Sequence, residues 1–162
     1  MAPAKPVRGT FLTLSPAIQA LPKWPFGDSH ELQERLAALI VAGVKKATCS
    51  AKAQNLWSEP GERGLVVIND DHPVAVIEIE TATHTRYCDV TAEQAALEGE
   101  GDLSLAFWRD AHKAYFSRVA DFSSDMEVVF ETFRLVEILD ADFAETAQYH
   151  VALERAETVV GA

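Results

Sequence analysis

Cysteine is almost missing from this chain. Cys49 and Cys88 are its only two, so at most one bridge is available and there is no disulfide framework. Long apolar runs are missing as well, since nothing approaches the roughly 18–20 consecutive apolar residues that span a bilayer. The opening stretch MAPAKPVRGTFLTLSPAIQALPKWPFGD has only a short apolar patch, broken at Pro16, Pro22 and Pro25, and does not read as a secretory signal. Histidine occurs at 30, 72, 84, 112 and 150, never in the spacing of a strong metal-ligand set. Repeats and low-complexity tracts are also lacking. A reduced, cytoplasmic protein with no membrane segment and no structural zinc is the expectation.

Basic charge is scarce too. Lys and Arg number 14 against 25 Asp and Glu, a net charge of −11 that argues against a broad phosphate-tracking surface. The shortage is uneven, however. Residues 1–55 carry seven cations (Lys5, Arg8, Lys23, Arg35, Lys45, Lys46, Lys52) and three anions (Asp28, Glu31, Glu34), which leaves −15 for the rest. A locally basic region in an acidic protein suits a small polar or anionic ligand, or a short strand in a cleft, better than a long duplex.

What is present fits one domain, since 162 residues suffice for a single sizeable core. Residues 1–25, rich in proline, read as an irregular arm; 26–139 as the folded unit; 140–162 as a helical extension. FGDSHELQERLAALIVAG predicts a helix, capped by Asp28 or Ser29, with Asp28 and Glu31 resembling a capping box. Its Leu32, Leu36, Leu39 and Ile40 share a face, and Gly43 is placed to end it. GLVVIND and PVAVIEIET predict strands around a tight turn, with Val74, Val76 and Glu78 on one face and Ala75, Ile77 and Ile79 on the other. A short helix follows with Thr91 and Gln94 as a capping-box pair. A longer one follows that, with Asp102 as its cap and Trp108, His112 and Tyr115 along one face. MEVVFETFRLVEIL predicts a long closing strand, and Phe143, Ala147 and Val151 are spaced to dock the last helix. Strands broken by helices without βαβ regularity indicate an α+β fold with a small barrel or curled sheet.

LAALIVAGVKKAT, PVAVIEIE, EGEGDLSLAFWRDAH and SSDMEVVFETFRLVE, in this order, resemble the ASCH domain family of the PUA-like superfamily, in its long bacterial type. The likeness runs from about Phe26 to Ile138 and centres on Gly-x-Lys-x-x-Thr at Gly43, Lys45 and Thr48 and on Glu98-Gly99-Glu100-Gly101-Asp102. It implies a central β-barrel flanked by helices, with a cleft near Lys45 that takes a modified nucleoside or short single-stranded RNA. One small branch of the family hydrolyses the amide of N4-acetylcytidine with a lysine, a threonine and a glutamate, which fall here on Lys45, Thr48 and Glu98. This chain is longer than that branch, and Glu100 is an alternative to Glu98. Other members are magnesium-dependent ribonucleases or bind RNA without turnover.

For amide hydrolysis the likeness implies Thr48 as nucleophile and Glu98 as proton donor to the leaving amine. Lys45 is a base if burial lowers its pKa and a cationic stabiliser if it does not. Alternatively, Lys45 and Lys46 simply complement a helix dipole. Lys46 faces phosphate or water, Ser50 and Ser124 border the cleft, and Cys49 reads as a buried small hydrophobe rather than a nucleophile. Trp57 either stacks on a base or covers the barrel mouth. Trp108 and His112 are core, cleft wall or ligand contacts. No resident cofactor is expected for the amidase, whereas Glu98, Glu100 and Asp102 would share Mg²⁺ in a ribonuclease.

Overall fold

The computed structural model describes residues 13–160, so expectations touching Pro3, Lys5, Pro6 and Arg8 lie outside the described residues, as do those for 161–162. The chain runs α1 (Pro16–Gln19), β1 (Lys23–Pro25), α2 (His30–Val41), β2 (Ala47–Ala51), β3 (Arg63–Ile68), β4 (His72–Arg86), α3 (Ala92–Leu97), α4 (Leu105–Val119), β5 (Glu127–Ile138) and α5 (Ala141–Val160). The strands form one sheet in the order β1-β3-β4-β5-β2, antiparallel except where β1 runs parallel to β3.

The fold is α+β, as expected, but the sheet is a curled half-barrel rather than the closed barrel that the family likeness implied. Among the described residues β1 and β2 do not pair with each other and remain its two edges. Curling has a local cause. The β4–β5 ladder shifts register between Val76 and Ile77 and again between Ile79 and Thr81, and each bulge sharpens twist and bend.

Residues 13–25, the described part of the proline-rich opening, include a short helix and a strand. Ser15 caps α1, and Lys23, Trp24 and Pro25 align with Leu65, Val66 and Val67 of β3. Pro25 is tolerated because β1 is an edge strand. Trp24 lies flat on Gly64, where a Cβ would fall 2.1 Å from the indole.

Helix α2 starts at Ser29, whose hydroxyl accepts from the Leu32 amide; Asp28 is not the cap, and there is no capping box with Glu31. Its burial is wider than the apolar stripe indicated. Leu36 through Val41 are all buried, because α2 is covered by the sheet on one side and by α5 on the other. Phe143, Ala144 and Ala147 of α5 join Ala37, Ile40, Ile77 and Phe133 in this core. Gln33, also buried, reaches the β3–β4 turn, donating to Asp70 Oδ1 (2.6 Å) and accepting from the Asp70 amide (3.0 Å).

The predicted face assignment of β4 fails at one residue. Val76 packs with Leu65, Val67 and Leu139, but Val74 joins Ala75, Ile77 and Ile79 on the α2 side. It sits where the β3–β4 register shifts, between the pairs Val66–Ala75 and Val67–Pro73, so the period-2 rule breaks there. A second core, under α3 and α4, gathers Cys49, Tyr87, Trp108, Phe116 and Phe130. Thr91 and Gln94 form the expected capping box of α3. For α4 the cap is Ser104, not Asp102, which instead accepts from the Ser104 amide at 2.9 Å.

Candidate functional site

Between α2, α4 and strands β1, β2 and β5 lies a cavity of about 450 Å³, within the usual size range of small-molecule sites. Trp24, Phe26 and Tyr115 supply aromatic wall. Thr48, Ser50 and Glu131 come from the sheet, Lys45 and Glu98 from the two loops packed against it.

Lys45 reaches the cavity because of how α2 ends. Gly43 takes φ +80°, and the amides of Val44 and Lys45 both donate to the Leu39 carbonyl (3.1 and 3.0 Å). This turn points Lys45 inward and leaves Lys46 exposed, its backbone tied to Leu97 and Phe133. The Lys45 side chain is 1% exposed. Its ammonium donates to Ala47 O (2.9 Å), Glu98 O (3.3 Å), Glu100 Oε2 (3.0 Å) and Glu98 Oε1 (3.5 Å). Burial alone would lower its pKa, but the carboxylates of Glu100 and Glu98 outweigh burial and the value is raised. Lys45 is therefore a fixed cation rather than a base.

Glu98 is equally enclosed. Its Oε2 accepts from the Trp108 indole N–H and faces His112 Nε2 at 3.3 Å. Burial pushes its carboxyl up, yet the charges of His112 and Lys45 more than offset this and hold it ionised. It is thus poorly suited to donate a proton. His112 places Nδ1 2.9 Å from the Trp108 carbonyl, which fixes a proton on that nitrogen, and stacks on the Trp108 ring at 4.1 Å between centroids. Burial opposes its charge, but Glu98 prevails and the pKa is raised. Lys45 and His112 so face two carboxylates, Glu98 and Glu100, in a closed network.

The loop holding those carboxylates is pinned twice. Gly99, at φ +74°, presses on the strand-entry backbone so tightly that a Cβ would lie 2.5 Å from Val44 O. From the other side, α5 grips it. Arg155 Nη1 donates to Gly99 O (2.9 Å) and Gly101 O (2.6 Å), while Glu154 accepts from the Gly101 amide (2.9 Å) and pairs with Arg35 at 3.2 Å. The helical extension therefore takes part in shaping the site.

The structure brings Lys45, Thr48, Ser50, Glu98, Glu100 and His112 to one cavity. Ser50 Oγ is buried there with no hydrogen-bond partner among the described residues. Four other residues named from sequence lie elsewhere. Lys46 points to solvent, Trp108 is buried beneath the cavity wall, and Trp57 packs edge-on against His84 (4.9 Å). Ser124 is exposed in the turn before β5, its carbonyl accepting from the Cys88 amide. Cys49 is buried as expected, and burial with the nearby charges of Glu98 and Glu131 drives its thiol well up, away from thiolate.

Glu131 was missed. It stands on β5 directly opposite Thr48 on β2, is 5% exposed, and accepts the Ser58 amide on Oε1 at 2.8 Å. Burial, helped by the charge of Glu62 and opposed by the Ser58 amide, pushes its carboxyl up to about 7. The available signal was an acid inside VVFETF, where apolar neighbours on both sides imply burial.

The family model of the ASCH domain matches residues 22–137. A crystal structure of an ASCH domain from Lactobacillus crispatus is similar over 70% of this chain and 78% of its own, with 34% identity and a TM-score of 0.66. The crystal structure of protein EF3133 from Enterococcus faecalis is similar over 73% and 81%, with 26% identity and a TM-score of 0.63. No curated protein matches the sequence. No helix among the described residues is long and apolar enough to cross a membrane. With residues 22–137 matched by the family model and the fold shared with a solved ASCH domain, this chain belongs to the ASCH domain family, a PUA-like group associated in general with RNA.

Proposed function

We propose that the cavity takes a modified nucleoside, free or at the end of a short single-stranded RNA, and that the protein hydrolyses an amide on its base, as in N4-acetylcytidine. The observation that carries this reading is the buried Lys45 ammonium, three residues before the half-buried Thr48 of β2, with both residues lining one aromatic-walled cavity. Thr48 Oγ1 is the nucleophile. An amide carbonyl under attack develops negative charge, and a fixed cation in a water-poor site stabilises that charge far better than solvent would. Glu98 keeps Lys45 charged and in place. Ser50 Oγ, lacking a partner among the described residues, is ready to bond a polar group of the ligand, and Tyr115 or Trp24 offers a face to a heterocycle.

The magnesium-dependent alternative fits these residues less well. Glu98 and Glu100 already surround an ammonium, and Asp102 is turned to the Ser104 amide, so the carboxylates a metal would need are engaged.

The test is turnover of N4-acetylcytidine by wild type and Thr48→Ala, with EDTA throughout. Metal-free release of acetate that disappears in the variant supports the amidase reading. Lack of turnover by wild type removes it and directs attention to single-stranded RNA with Mg²⁺.

A further inference from the structure

We propose that Glu131 is the proton-transfer residue of this site, taking the Thr48 hydroxyl proton as Oγ1 attacks and returning it to the departing nitrogen. This inference rests on the amidase reading and adds a residue that the family likeness did not supply.

Geometry makes the case. Thr48 and Glu131 are direct partners in the β2–β5 ladder, so their side chains leave the sheet on the same face, about 5 Å apart at Cβ. Both line the cavity. The Ser58 amide fixes Oε1 and thereby orients the carboxyl, leaving Oε2 to meet a hydroxyl. No lysine, arginine or histidine pairs with Glu131 among the described residues, unlike Glu98 and Glu100. The other titratable groups near the nucleophile are committed. Lys45 shares its hydrogens among four acceptors, His112 has both ring nitrogens engaged, and Glu98 is held by Trp108, His112 and Lys45. The groups facing Glu131 are Cys49 on β2, Glu62 before β3 and the Ser58 amide, with Lys45, Glu98, Glu100 and His112 across the cavity. A carboxyl that titrates near 7 is matched to proton transfer at neutral pH.

The step balances. Thr48 Oγ1 bonds to the acyl carbon, its proton passes to Glu131 Oε2, and the carbonyl π pair moves onto oxygen beside Lys45. Collapse breaks the C–N bond, and the nitrogen leaves as a free amino group with the proton from Glu131. Water then attacks the threonyl ester, losing its proton to Glu131. Ester cleavage returns that proton to Thr48 and releases the carboxylic acid.

The experiment measures kcat/KM for N4-acetylcytidine from pH 5.5 to 9 in wild type, Glu131→Gln and Glu131→Asp. Gln keeps the Ser58 hydrogen bond but cannot accept the proton. Wild type is expected to rise to a plateau through an apparent pKa near 7. Glu131→Gln should lose about 10²–10⁴-fold at the plateau and show no rising limb, whereas Glu131→Asp should keep the limb at reduced height. A Gln variant within a few-fold of wild type, or uniformly weakened with the limb intact, overturns the proposal while the amidase reading stands. Wild type inactive at every pH sinks both. If the Gln variant does not fold, the Asp variant decides, since a limb unmoved in position and height excludes Glu131 from proton transfer.

Discussion

Lys45 and Glu98, 53 positions apart in sequence, meet as a buried ion pair with Nζ 3.5 Å from Oε1 and side chains 1% and 2% exposed. Removing one partner of such a pair leaves the other charge uncompensated in a low dielectric. Lys45→Met should therefore destabilise the protein by about 3–5 kcal/mol, read as a shift in urea midpoint. Adding Glu98→Gln should recover part of that loss, because the stranded charge is then gone. Simple additivity of the two single effects would mean that the pair does not interact.

His112 carries a second prediction. Its pKa is raised because the attraction of Glu98 exceeds the opposing effect of burial. Stability from this contact is thus complete below the ordinary histidine value of 6.5 and is lost as pH rises through the higher folded value. In an NMR titration the His112 ring should change charge above 6.5 in wild type and at lower pH in Glu98→Gln. An unchanged midpoint in the variant would remove Glu98 as the cause.

Much of this arrangement could be read from sequence, and the exceptions share a reason. Helix ends announce themselves locally, as Gly43 and the Thr91–Gln94 box show, because capping needs only neighbouring residues; at the start of α2 the sequence left Asp28 and Ser29 as rivals. The cap of α4 was misplaced by two positions because Asp102 and Ser104 are both good caps, and the choice depends on the turn before them. Thr48 and Glu98 came from the family likeness, and so did the roles assigned to them. The states of Lys45 and Glu98 could not be read, since each depends on which charges come within about 4 Å after folding. Glu131 lies in a strand buried on both faces from Val128 to Glu131, so no alternation marks its side. Its position opposite Thr48 is a property of strand register, which bulges reset and sequence does not display.

Glu131 should leave its own mark on stability. Its folded pKa of about 7 stands above the ordinary 4.5, so between those values the native state holds a proton that the unfolded chain has lost. Stability from this group is therefore greatest below about 4.5 and declines as pH rises toward and through 7, by about 3 kcal/mol in all. Glu131→Gln cannot ionise and should escape that decline. Denaturant midpoints at pH 5 and pH 8 should show the variant gaining on wild type at the higher pH. A constant difference between the two proteins would mean that Glu131 titrates normally.

The C-terminal helix lies wholly beyond the family match, which ends at 137, yet it holds the loop that presents Glu98 and Glu100. Arg155→Ala deletes two charge-assisted bonds to Gly99 and Gly101 and should cost about 2 kcal/mol, with faster amide exchange across 99–101. Gly99→Ala attacks the same loop from the opposite side. A methyl there meets the Val44 carbonyl at 2.5 Å, and φ +74° is unfavourable for alanine, so roughly 3 kcal/mol should be lost. The two variants differ in what they do to Lys45. Arg155→Ala loosens the loop but leaves the Val44–Lys45 backbone in place, so ligand binding should weaken only modestly. Gly99→Ala pushes that backbone itself and moves the ammonium away from Glu100, so binding and turnover should fall together. Should Gly99→Ala retain wild-type binding, the loop can yield without disturbing Lys45, and the tight approach of Gly99 to Val44 serves packing alone.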